Sequence, residues 1–330
     1  MIHVRTSAGE TLILNGKPLG KGGEGGVYRI LSPLKYQHYC AKIYAEPKLI
    51  HQQKIDFMIG HPPDCLRQNL KMCWPTALIF DQGQPNKFLG YIMPMAFPAS
   101  CSLQTLLTSG HRVEWSPKFN RDVSQGFRNS LSVAKNVALL VYLLHEIGDE
   151  LNRGSGYVIG DLKPDNIMIN ANAQVSLIDM DSIQINARGM LYTISALSPE
   201  YSSPELVSHG TKSPMTTASD NFTLAIILYR ILTGVHPFMG SVRGKSGMTL
   251  DESIKKGYYV FGQRAGEFEA IPPIHHRLNM ASREVREFFR FALDAGLNQP
   301  ANRPTASQWA QLLHEELRTN RFANFLTGQI

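Results

Sequence analysis

The sequence contains few cysteines, and none of them forms a recognisable pair. The four cysteines lie at positions 40, 65, 73 and 101, without a C-x-x-C motif or the spacing of a zinc site. This pattern excludes a small domain stabilised by disulfides and a cysteine metal centre. It predicts reduced thiols in a cytoplasmic protein.

Long hydrophobic runs are also missing. The longest covers residues 137–144, far short of the roughly 20 apolar residues that span a bilayer. The first ten residues lack the basic region and apolar core of a secretory signal. Hydrophobic residues make up 43% of the chain and charged residues 18%, which excludes a disordered or fibrous protein. We therefore expect a folded protein without membrane association.

The length and net charge narrow the class of protein further. At 330 residues the chain exceeds the usual size of one hydrophobic core, so we expect two lobes or two small domains. The net charge of +6 suits an acidic partner. Lysine and arginine are dispersed instead of forming stripes, so we expect no specific nucleic-acid binding.

The predicted secondary structure changes character near residue 98. Short runs rich in β-branched and aromatic residues predict strands at 11–19, 26–31, 38–44, 76–81 and 88–93. One amphipathic helix is predicted among them, at 48–59. Apolar periodicity then predicts helices at 133–148, 222–234, 282–295 and 305–319. A small β-rich lobe followed by a larger helical lobe, an α+β fold, is the expected architecture.

Three glycines between two predicted strands indicate phosphate binding. Gly20, Gly22 and Gly25, followed by Val27, fit the pattern G-x-G-x-x-G-x-V. Glycine lets the backbone approach phosphate oxygens, so that N–H groups can donate to them. A dinucleotide-binding motif would open a helix, whereas a strand continues here. The alternative is a glycine-rich hairpin turn without function; the flanking strands favour a lid over ATP phosphates.

A lysine lies in the middle of the predicted strand 38–44. Lys42 follows Cys40 and Ala41 and precedes another apolar residue. Burying an ammonium group without a partner is costly, so this lysine either extends to solvent from an edge strand or meets an anion. Its position two strand lengths after the glycines favours a phosphate as that anion.

The segment 157–169 carries the strongest chemical signal. Asp161, Lys163 and Asn166 precede an apolar strand, and a second apolar strand downstream ends in Asp179. Phosphoryl transfer needs a carboxylate to orient the attacking hydroxyl, a cation for the γ-phosphate and oxygen ligands for Mg²⁺. A surface hairpin with ordinary turn residues would not explain the lysine and both strands together. Asp179 is the predicted principal metal ligand.

These segments resemble the eukaryotic-like serine/threonine protein kinase superfamily over about residues 12–318. Further motifs extend the resemblance: 198–205 is similar to the end of an activation segment, Asp220 to the start of the central helix of the large lobe, and 234–238 to its G-x-x-P-F exit. Arg303 lies in an R-P-T segment, and in such folds this arginine pairs with Glu205. The motifs G-D-L-K-P-x-N and D-M-D-S resemble those of divergent bacterial members.

The resemblance implies a bilobal kinase fold. The expected division is an N-lobe at 1–93, a hinge at 94–99 and a C-lobe at 100–318. Residues 319–330 are then a C-terminal tail or the start of a further segment. The implied cofactors are ATP and Mg²⁺, which Mn²⁺ can replace, and the implied partner is a protein substrate.

The resemblance also implies a role for each residue that handles phosphate or metal. Asp161 orients the substrate hydroxyl, Lys163 steadies the γ-phosphate, and Asn166 and Asp179 hold the metal. Lys42 holds the α- and β-phosphates, which the glycine loop covers.

The adenine site is implied by the same resemblance. Adenine is expected between Val27, Ala41 and Met168, next to the backbone of residues 93–96. Met93 and Met95 are the side chains expected there.

Two departures from the family pattern affect the Asp161 and Asp179 motifs. Ile159 and Gly160 replace the usual His-Arg pair. Because that arginine normally grips a phosphorylated activation loop, we infer an enzyme that is not switched on in this way. Asp181 replaces the glycine of D-F-G, which restricts the motif's flipping. Its carboxylate is either a ligand of a second metal or, as we favour, solvated.

A third departure concerns the partner of Lys42. In the resembling family a helix glutamate pairs with this lysine, and the predicted helix 48–59 contains no glutamate. Its candidates are Gln53 and Asp56, and the sequence does not choose between them.

The favoured function is ATP-dependent phosphorylation of Ser or Thr hydroxyls on protein substrates, including the chain itself. Lys163 and Ser198 favour Ser/Thr over Tyr by resemblance. The altered motifs support a nucleotide-binding pseudokinase scaffold as the alternative. A small-molecule kinase such as an aminoglycoside phosphotransferase is a third interpretation, but such enzymes generally lack the framework of Glu205, Asp220 and Arg303.

Overall fold

The computed structural model of the chain describes residues 1–63, 69–108, 113–152, 157–187, 189–194, 197–209 and 215–319. Only the backbone is described for 147–152 and 209. The first nine strands are β1 Ile2–Thr6, β2 Thr11–Leu14, β3 Gly20–Lys21, β4 Gly25–Ser32, β5 Tyr39–Tyr44, β6 Leu70–Met72, β7 Ala77–Asp81, β8 Phe88–Pro94 and β9 Cys101–Ser102. The remaining strands are β10 Ile167–Ile169, β11 Val175–Leu177, β12 Ile185–Ala187, β13 Met190–Tyr192, β14 Ser241–Val242 and β15 Phe268–Ala270.

The helices follow the predicted order, with one in the N-terminal part and the rest after residue 100. They are α1 Leu49–Gly60, α2 Leu103–Leu107, α3 Ser124–Asn152, α4 Pro204–His209, α5 Thr217–Thr233, α6 Leu250–Lys255, α7 Arg283–Arg290 and α8 Ala306–Thr319. A π-helical turn, Phe291–Ala295, continues α7, where the sequence predicted one regular helix. No helix in the described ranges is long and apolar enough to cross a bilayer.

The N-lobe is a single antiparallel sheet with strand order β2-β1-β7-β8-β5-β4-β3, and β2 also pairs with β4. This extra pairing bends the sheet back on itself around a core that includes Val4, Leu12 and Ile79. The sequence analysis missed β1, although Ile2, Val4 and Thr6 alternate with polar residues as a half-buried strand requires. Helix α1 packs on β7 and β8.

The C-lobe surrounds helix α5, whose side chains are buried along almost its whole length. Helix α5 ends at Gly234, which takes the left-handed conformation that suits glycine at this position. A second sheet, of order β6-β11-β10-β9, lies at the boundary between the lobes. Strand β6 pairs with β11 in this sheet, although it lies within the stretch that the sequence assigned to the N-lobe.

The pairing predicted for Arg303 is confirmed. Its Nη1 and Nη2 donate to Glu205 Oε1 and Oε2 at 2.6 and 2.9 Å, and its Nε donates to the carbonyl of Gly296 at 2.7 Å. The arginine side chain is 0% exposed. Burial raises the pKa of Glu205, but Arg303 outweighs this effect and holds the pKa below its usual value. The pair therefore fixes α4 against the segment that precedes α8.

Arg303→Ala is expected to lower the free energy of unfolding by about 3 kcal/mol, because it leaves a half-buried carboxylate without its cation. Urea unfolding at neutral pH measures this loss. Arg318→Ala is the matched control, since Arg318 forms an exposed pair with Glu315, and we expect a change within about 0.5 kcal/mol. Equal losses in the two variants would contradict the structural role of Arg303.

Candidate functional site

Residues 159–166, here called the Asp161 loop, are attached to the C-lobe core by one buried carboxylate. Asp220, in the first turn of α5, accepts from Ile159 N at 2.7 Å and from Gly160 N at 2.9 Å. His145 Nε2 on α3 also lies 2.9 Å from Asp220 Oδ2. Because both backbone amides are held by a rigid helix, the loop has a fixed position in front of β10.

The predicted residues of the Asp161 loop do come together. Lys163 Nζ forms an ion pair with Asp161 Oδ2. The Ser198 hydroxyl donates to Asp161 Oδ1 at 2.8 Å, and Lys163 Nζ also lies 3.5 Å from that hydroxyl oxygen. Asn166 Nδ2 donates to the carbonyl of Asp161 at 3.1 Å. One carboxylate, one ammonium and one serine hydroxyl therefore meet at one point.

Asp179 lies beside Asn166 because β10 and β11 are paired. Ile178 N, next to Asp179, donates to the carbonyl of Asn166 at 3.0 Å. Asp179 itself is left-handed, with φ 61° and ψ 39°, a strained conformation for a residue other than glycine. The Ser182 hydroxyl donates to its carbonyl at 2.7 Å and supports this turn.

Lys42 is buried and meets carboxylates from the segment after β11. Its Nζ donates to Asp179 Oδ1 at 2.8 Å and to Asp181 Oδ1 at 2.7 Å. Burial lowers the pKa of Lys42, but Asp181 and Asp179 outweigh burial and raise it above its usual value. The lysine is therefore a permanent cation. Of the two alternatives in the sequence analysis, the solvent-facing lysine was wrong and the lysine that meets an anion applies, with carboxylates as the anions in this structure.

Asp181 is the central acceptor of a buried hydrogen-bond network. Besides Lys42, the hydroxyls of Tyr44 and Tyr91 donate to its carboxylate at 2.6 and 2.8 Å. Its side chain is 2% exposed. Burial opposes ionisation, but Lys42 and then the two phenols hold the pKa of Asp181 below its usual value. The expectation of a solvated carboxylate was wrong, because three donors from β5 and β8 enclose it.

The expected partners of Lys42 on helix α1 were also wrong. Gln53 and Asp56 are exposed on the outer face of α1. The helix instead presents Lys54 to the site, where Nζ donates to the backbone carbonyl of Asp181 at 2.6 Å. Burial lowers the pKa of Lys54 to about 8. Helix α1 thus provides a cation, and the anions that pair with Lys42 come from the D-M-D motif.

The side chains that face the site from the sheet can be identified from the alternation of side chains along β5. Successive side chains alternate between the two faces of a strand, so Cys40 and Lys42 share one face. Val27 is opposite Lys42 and Met93 is opposite Cys40 in the strand register, and directly opposed residues lie on the same face. The prediction that Ala41 lines the adenine site was wrong: it packs on the other face, in the N-lobe core. Cys40 is the neighbouring residue that lies on the same face as Lys42.

The other residues predicted to contact adenine lie at the boundary between the lobes. The carbonyl of Met93 accepts from Cys40 Sγ at 3.8 Å. The backbone of Met95 is held by His38, whose carbonyl accepts from Met95 N at 2.9 Å. Lys71 Nζ donates to the carbonyl of Met95 at 3.2 Å. Met168 is half-buried in β10.

The glycine loop is the turn between β3 and β4. A Cβ at Gly25 would lie 2.1 Å from the carbonyl oxygen of Ile43, so the close packing of two strands requires glycine there. A Cβ at Gly20 or Gly22 would meet no described atom within 4 Å. Glycine at these two positions is therefore not explained by internal packing. Glu24 brings a carboxylate oxygen to 3.7 Å from Lys42 Nζ.

The oxygen groups around Asp179 suit a divalent cation of the Mg²⁺ type. Carboxylate and amide oxygens are its preferred protein ligands, and Asn166 and Asp179 provide both on adjacent strand ends. The Asp179 side chain is 37% exposed. Burial, together with the charge of Asp181, raises the pKa of Asp179 despite Lys42. The site therefore carries negative charge that a bound cation would stabilise.

Gly160, where the resembling family has arginine, is enclosed by apolar side chains. It has φ +70°, and an added Cβ would lie 2.8 Å from Met215 Sδ and 3.0 Å from Ile194. These two residues form a small core cluster with Val158 and Leu206. An arginine side chain has no space here, because methionine and isoleucine fill the position.

Four residues of the site were missed in the sequence analysis. Tyr44 is two residues after Lys42 in a strand, so its place on the same face was predictable from period two. Lys54 shares a helix face with Phe57 and Met58, which are both buried. No local signal predicted the positions of Tyr91 and Glu24. Tyr91 reaches Asp181 through the pairing of β8 with β5. Glu24 reaches Lys42 through the turn of the glycine loop.

Comparisons with known proteins agree on one family. The model of the protein kinase domain matches residues 135–315. The chain is 31% identical over 321 residues to protein kinase YegI of Escherichia coli strain K12, covering 94% of this chain and 46% of YegI. It is 27% identical over 195 residues to the serine/threonine-protein kinase PEPKR2 of Arabidopsis thaliana, covering 59% of this chain and 37% of that protein. The chain thus spans less than half the length of these relatives.

A solved structure supports the same fold. The crystal structure of Rad53 1-466 in complex with AMP-PNP superposes with a TM-score of 0.58 at 16% identity. The match covers 91% of this chain and 64% of that structure. The bilobal α+β architecture predicted from the sequence is therefore confirmed.

Asp181→Asn is expected to lower the free energy of unfolding by about 3 kcal/mol, because it removes a buried anion and leaves Lys42 with the more exposed carboxylates of Asp179 and Glu24. The measurement is urea unfolding at neutral pH. Asp56→Asn, on the exposed face of α1, is the matched control and is expected to change stability by less than about 0.5 kcal/mol. A larger loss in Asp56→Asn than in Asp181→Asn would contradict this account, because the counter-ion of Lys42 would then lie on helix α1.

Proposed function

Because this chain belongs to the protein kinase family, with bacterial relatives, we propose that it transfers the γ-phosphoryl group of ATP to Ser or Thr hydroxyls of protein substrates, itself included. The observation that carries the proposal is the Ser198 hydroxyl, which donates to Asp161 at 2.8 Å beside Lys163. A hydroxyl at this point is held by a carboxylate and an ammonium, as phosphoryl transfer requires.

These contacts support the roles that we propose for the Asp161 loop. Asp161 orients the substrate hydroxyl and accepts its proton while the oxygen forms a bond to the γ-phosphorus and the bond to ADP breaks. Lys163 stabilises the charge on the transferred group. Asn166 and Asp179 would hold Mg²⁺ or Mn²⁺, which neutralises phosphate oxygens when it is bound.

The nucleotide site is proposed on the Lys42 face of the sheet. Lys42 pairs with the α- and β-phosphates under the loop of Gly20, Gly22 and Gly25. Adenine lies between Val27, Cys40 and Met168. The hinge proposed at 94–99 supplies its backbone hydrogen bonds, with Met93 and Met95 adjacent.

The alignment of Lys42 is proposed to depend on Asp181 instead of a helix glutamate. Asp181 is buried and bonded to Lys42, Tyr44 and Tyr91. It can therefore hold the lysine when Asp179 binds a metal.

Gly160 supports a second proposal, which concerns regulation. Activity does not require a phosphorylated activation loop, because this position offers no arginine to bind the phosphate.

One observation favours a second candidate, the nucleotide-binding pseudokinase scaffold. Glu24 brings its carboxylate to 3.7 Å from Lys42 Nζ, and Asp179 accepts a hydrogen bond from the same ammonium group. Phosphate groups must compete with both carboxylates. A protein that binds ATP without any transfer to itself or to protein substrates would fit the scaffold.

Asp161→Asn is expected to lower phosphoryl transfer by several orders of magnitude, because the amide cannot accept the hydroxyl proton. The measurement is incorporation of labelled phosphate from ATP with Mg²⁺ or Mn²⁺, together with ATP binding, which should persist. Asp165→Asn, exposed in the same loop, is the control and should retain activity. Equal turnover of wild type and Asp161→Asn would refute the assignment.

Thr193→Ala combined with Ser195→Ala is expected to retain activity within about twofold of the wild type, because Gly160 offers no cation for a phosphorylated loop. Ser195 lies outside the described residues. The measurement is the initial rate of phosphoryl transfer, with Ser198 left intact because it contacts Asp161. A loss of activity of tenfold or more would count against independence from loop phosphorylation.

A further inference from the structure

A pocket of about 350 Å³ lies in the C-lobe, away from the Asp161 loop. Its floor is formed by Tyr259, Phe261 and Leu278, and three arginines of α7 line its rim. Tyr259 packs edge-on against Tyr229. Tyr229 is nine residues after Asp220 on α5, a rise of about 13 Å along a helix. The pocket is therefore separate from the site described above.

The rim carries unneutralised positive charge. Arg283, Arg286 and Arg290 are spaced three and four residues apart, which places them along one face of α7. Arg290 pairs with Glu287 at 3.1 Å. Arg286 has only a 3.5 Å contact with the amide oxygen of Asn279. Within the described part of the chain, Arg283 and Arg286 have no carboxylate partner.

The floor contains a buried hydroxyl without a hydrogen bond. Tyr259 is fully buried, and no described group bonds to its hydroxyl. Burial, and then the charge of Asp294, raises the pKa of this phenol, so it stays protonated. Because the hydroxyl has almost no accessible surface, a ligand in the pocket contacts the arginines and the apolar floor and does not reach this oxygen.

We propose that this pocket binds an acidic peptide segment of a protein partner. An apolar side chain of the peptide occupies the aromatic floor, and a neighbouring carboxylate binds Arg283 and Arg286. The pocket is at the lower end of the range for ligand sites, a size that suits a side chain and its flanking carboxylate.

The surface beside the rim favours a peptide over a nucleic acid. Glu287 also lines the pocket and pairs with Arg290, which leaves Arg283 and Arg286 as the cations that meet the ligand. Phe291, next to Arg290, is 49% exposed and starts the π-helical turn, so the surface next to the arginines is apolar. Alternating acidic and apolar groups complement this surface.

The test measures binding to the whole chain without ATP, so its result does not depend on whether the chain is an active kinase. The probe is a fluorescein-labelled nonapeptide with glutamates flanking one phenylalanine, and binding is followed by fluorescence anisotropy. The expected result is saturable binding that weakens at least tenfold in Arg283→Glu with Arg286→Glu. Arg29→Glu with Arg243→Glu changes the net charge equally at exposed positions elsewhere and should bind as the wild type does.

Tyr259→Phe is a control at the floor of the pocket. Because the hydroxyl has almost no accessible surface, its removal should leave the affinity for the peptide unchanged. No saturable binding of the acidic peptide, or equal weakening by both pairs of arginine substitutions, would overturn the proposal. So would a labelled single-stranded oligonucleotide that binds with the same dependence on Arg283 and Arg286.

Discussion

The buried ion pair between Lys42 and Asp181 is the interaction on which the rest of the site depends. An ammonium group in the interior of a protein needs an anion close to it, and removing one partner of such a pair is strongly destabilising. Asp181 meets this need through Oδ1, which accepts from Lys42 and from Tyr91, while Tyr44 donates to Oδ2. All three donors come from the N-lobe sheet, whereas Asp181 follows β11. The network therefore joins the two lobes.

This arrangement changes what helix α1 can control. In the resembling family the anion for the strand lysine comes from a helix, so a shift of the helix alters the lysine. Here α1 provides Lys54, which donates to the backbone carbonyl of Asp181. The position of Lys42 is set by a segment that also holds Asp179. Together with the apolar surroundings of Gly160, this favours a site that assembles without the two usual switches, a mobile helix and a phosphorylated loop.

Local motifs allowed much of the site to be predicted from the sequence. Asp161, Asn166 and Asp179 are close because short strands and turns join them, so their order along the chain implies their proximity. The pairing of Arg303 with Glu205 followed from family resemblance. The exchange of Ala41 for Cys40 was an error of strand alternation, which the position of Lys42 could have corrected. The role of Asp181 could not be read in advance, because its donors lie on strands about ninety or more residues away and become neighbours only through the fold.

The most direct test of this account is the coupling energy between Lys42 and Asp181 in a double-mutant cycle. Unfolding free energies of Lys42→Met, Asp181→Asn and the double variant give this coupling, and the same cycle with Asp56→Asn is the reference. The account predicts a coupling of about 2 kcal/mol for Lys42 with Asp181 and none for Lys42 with Asp56. A Lys42–Asp181 coupling below about 0.5 kcal/mol would contradict it.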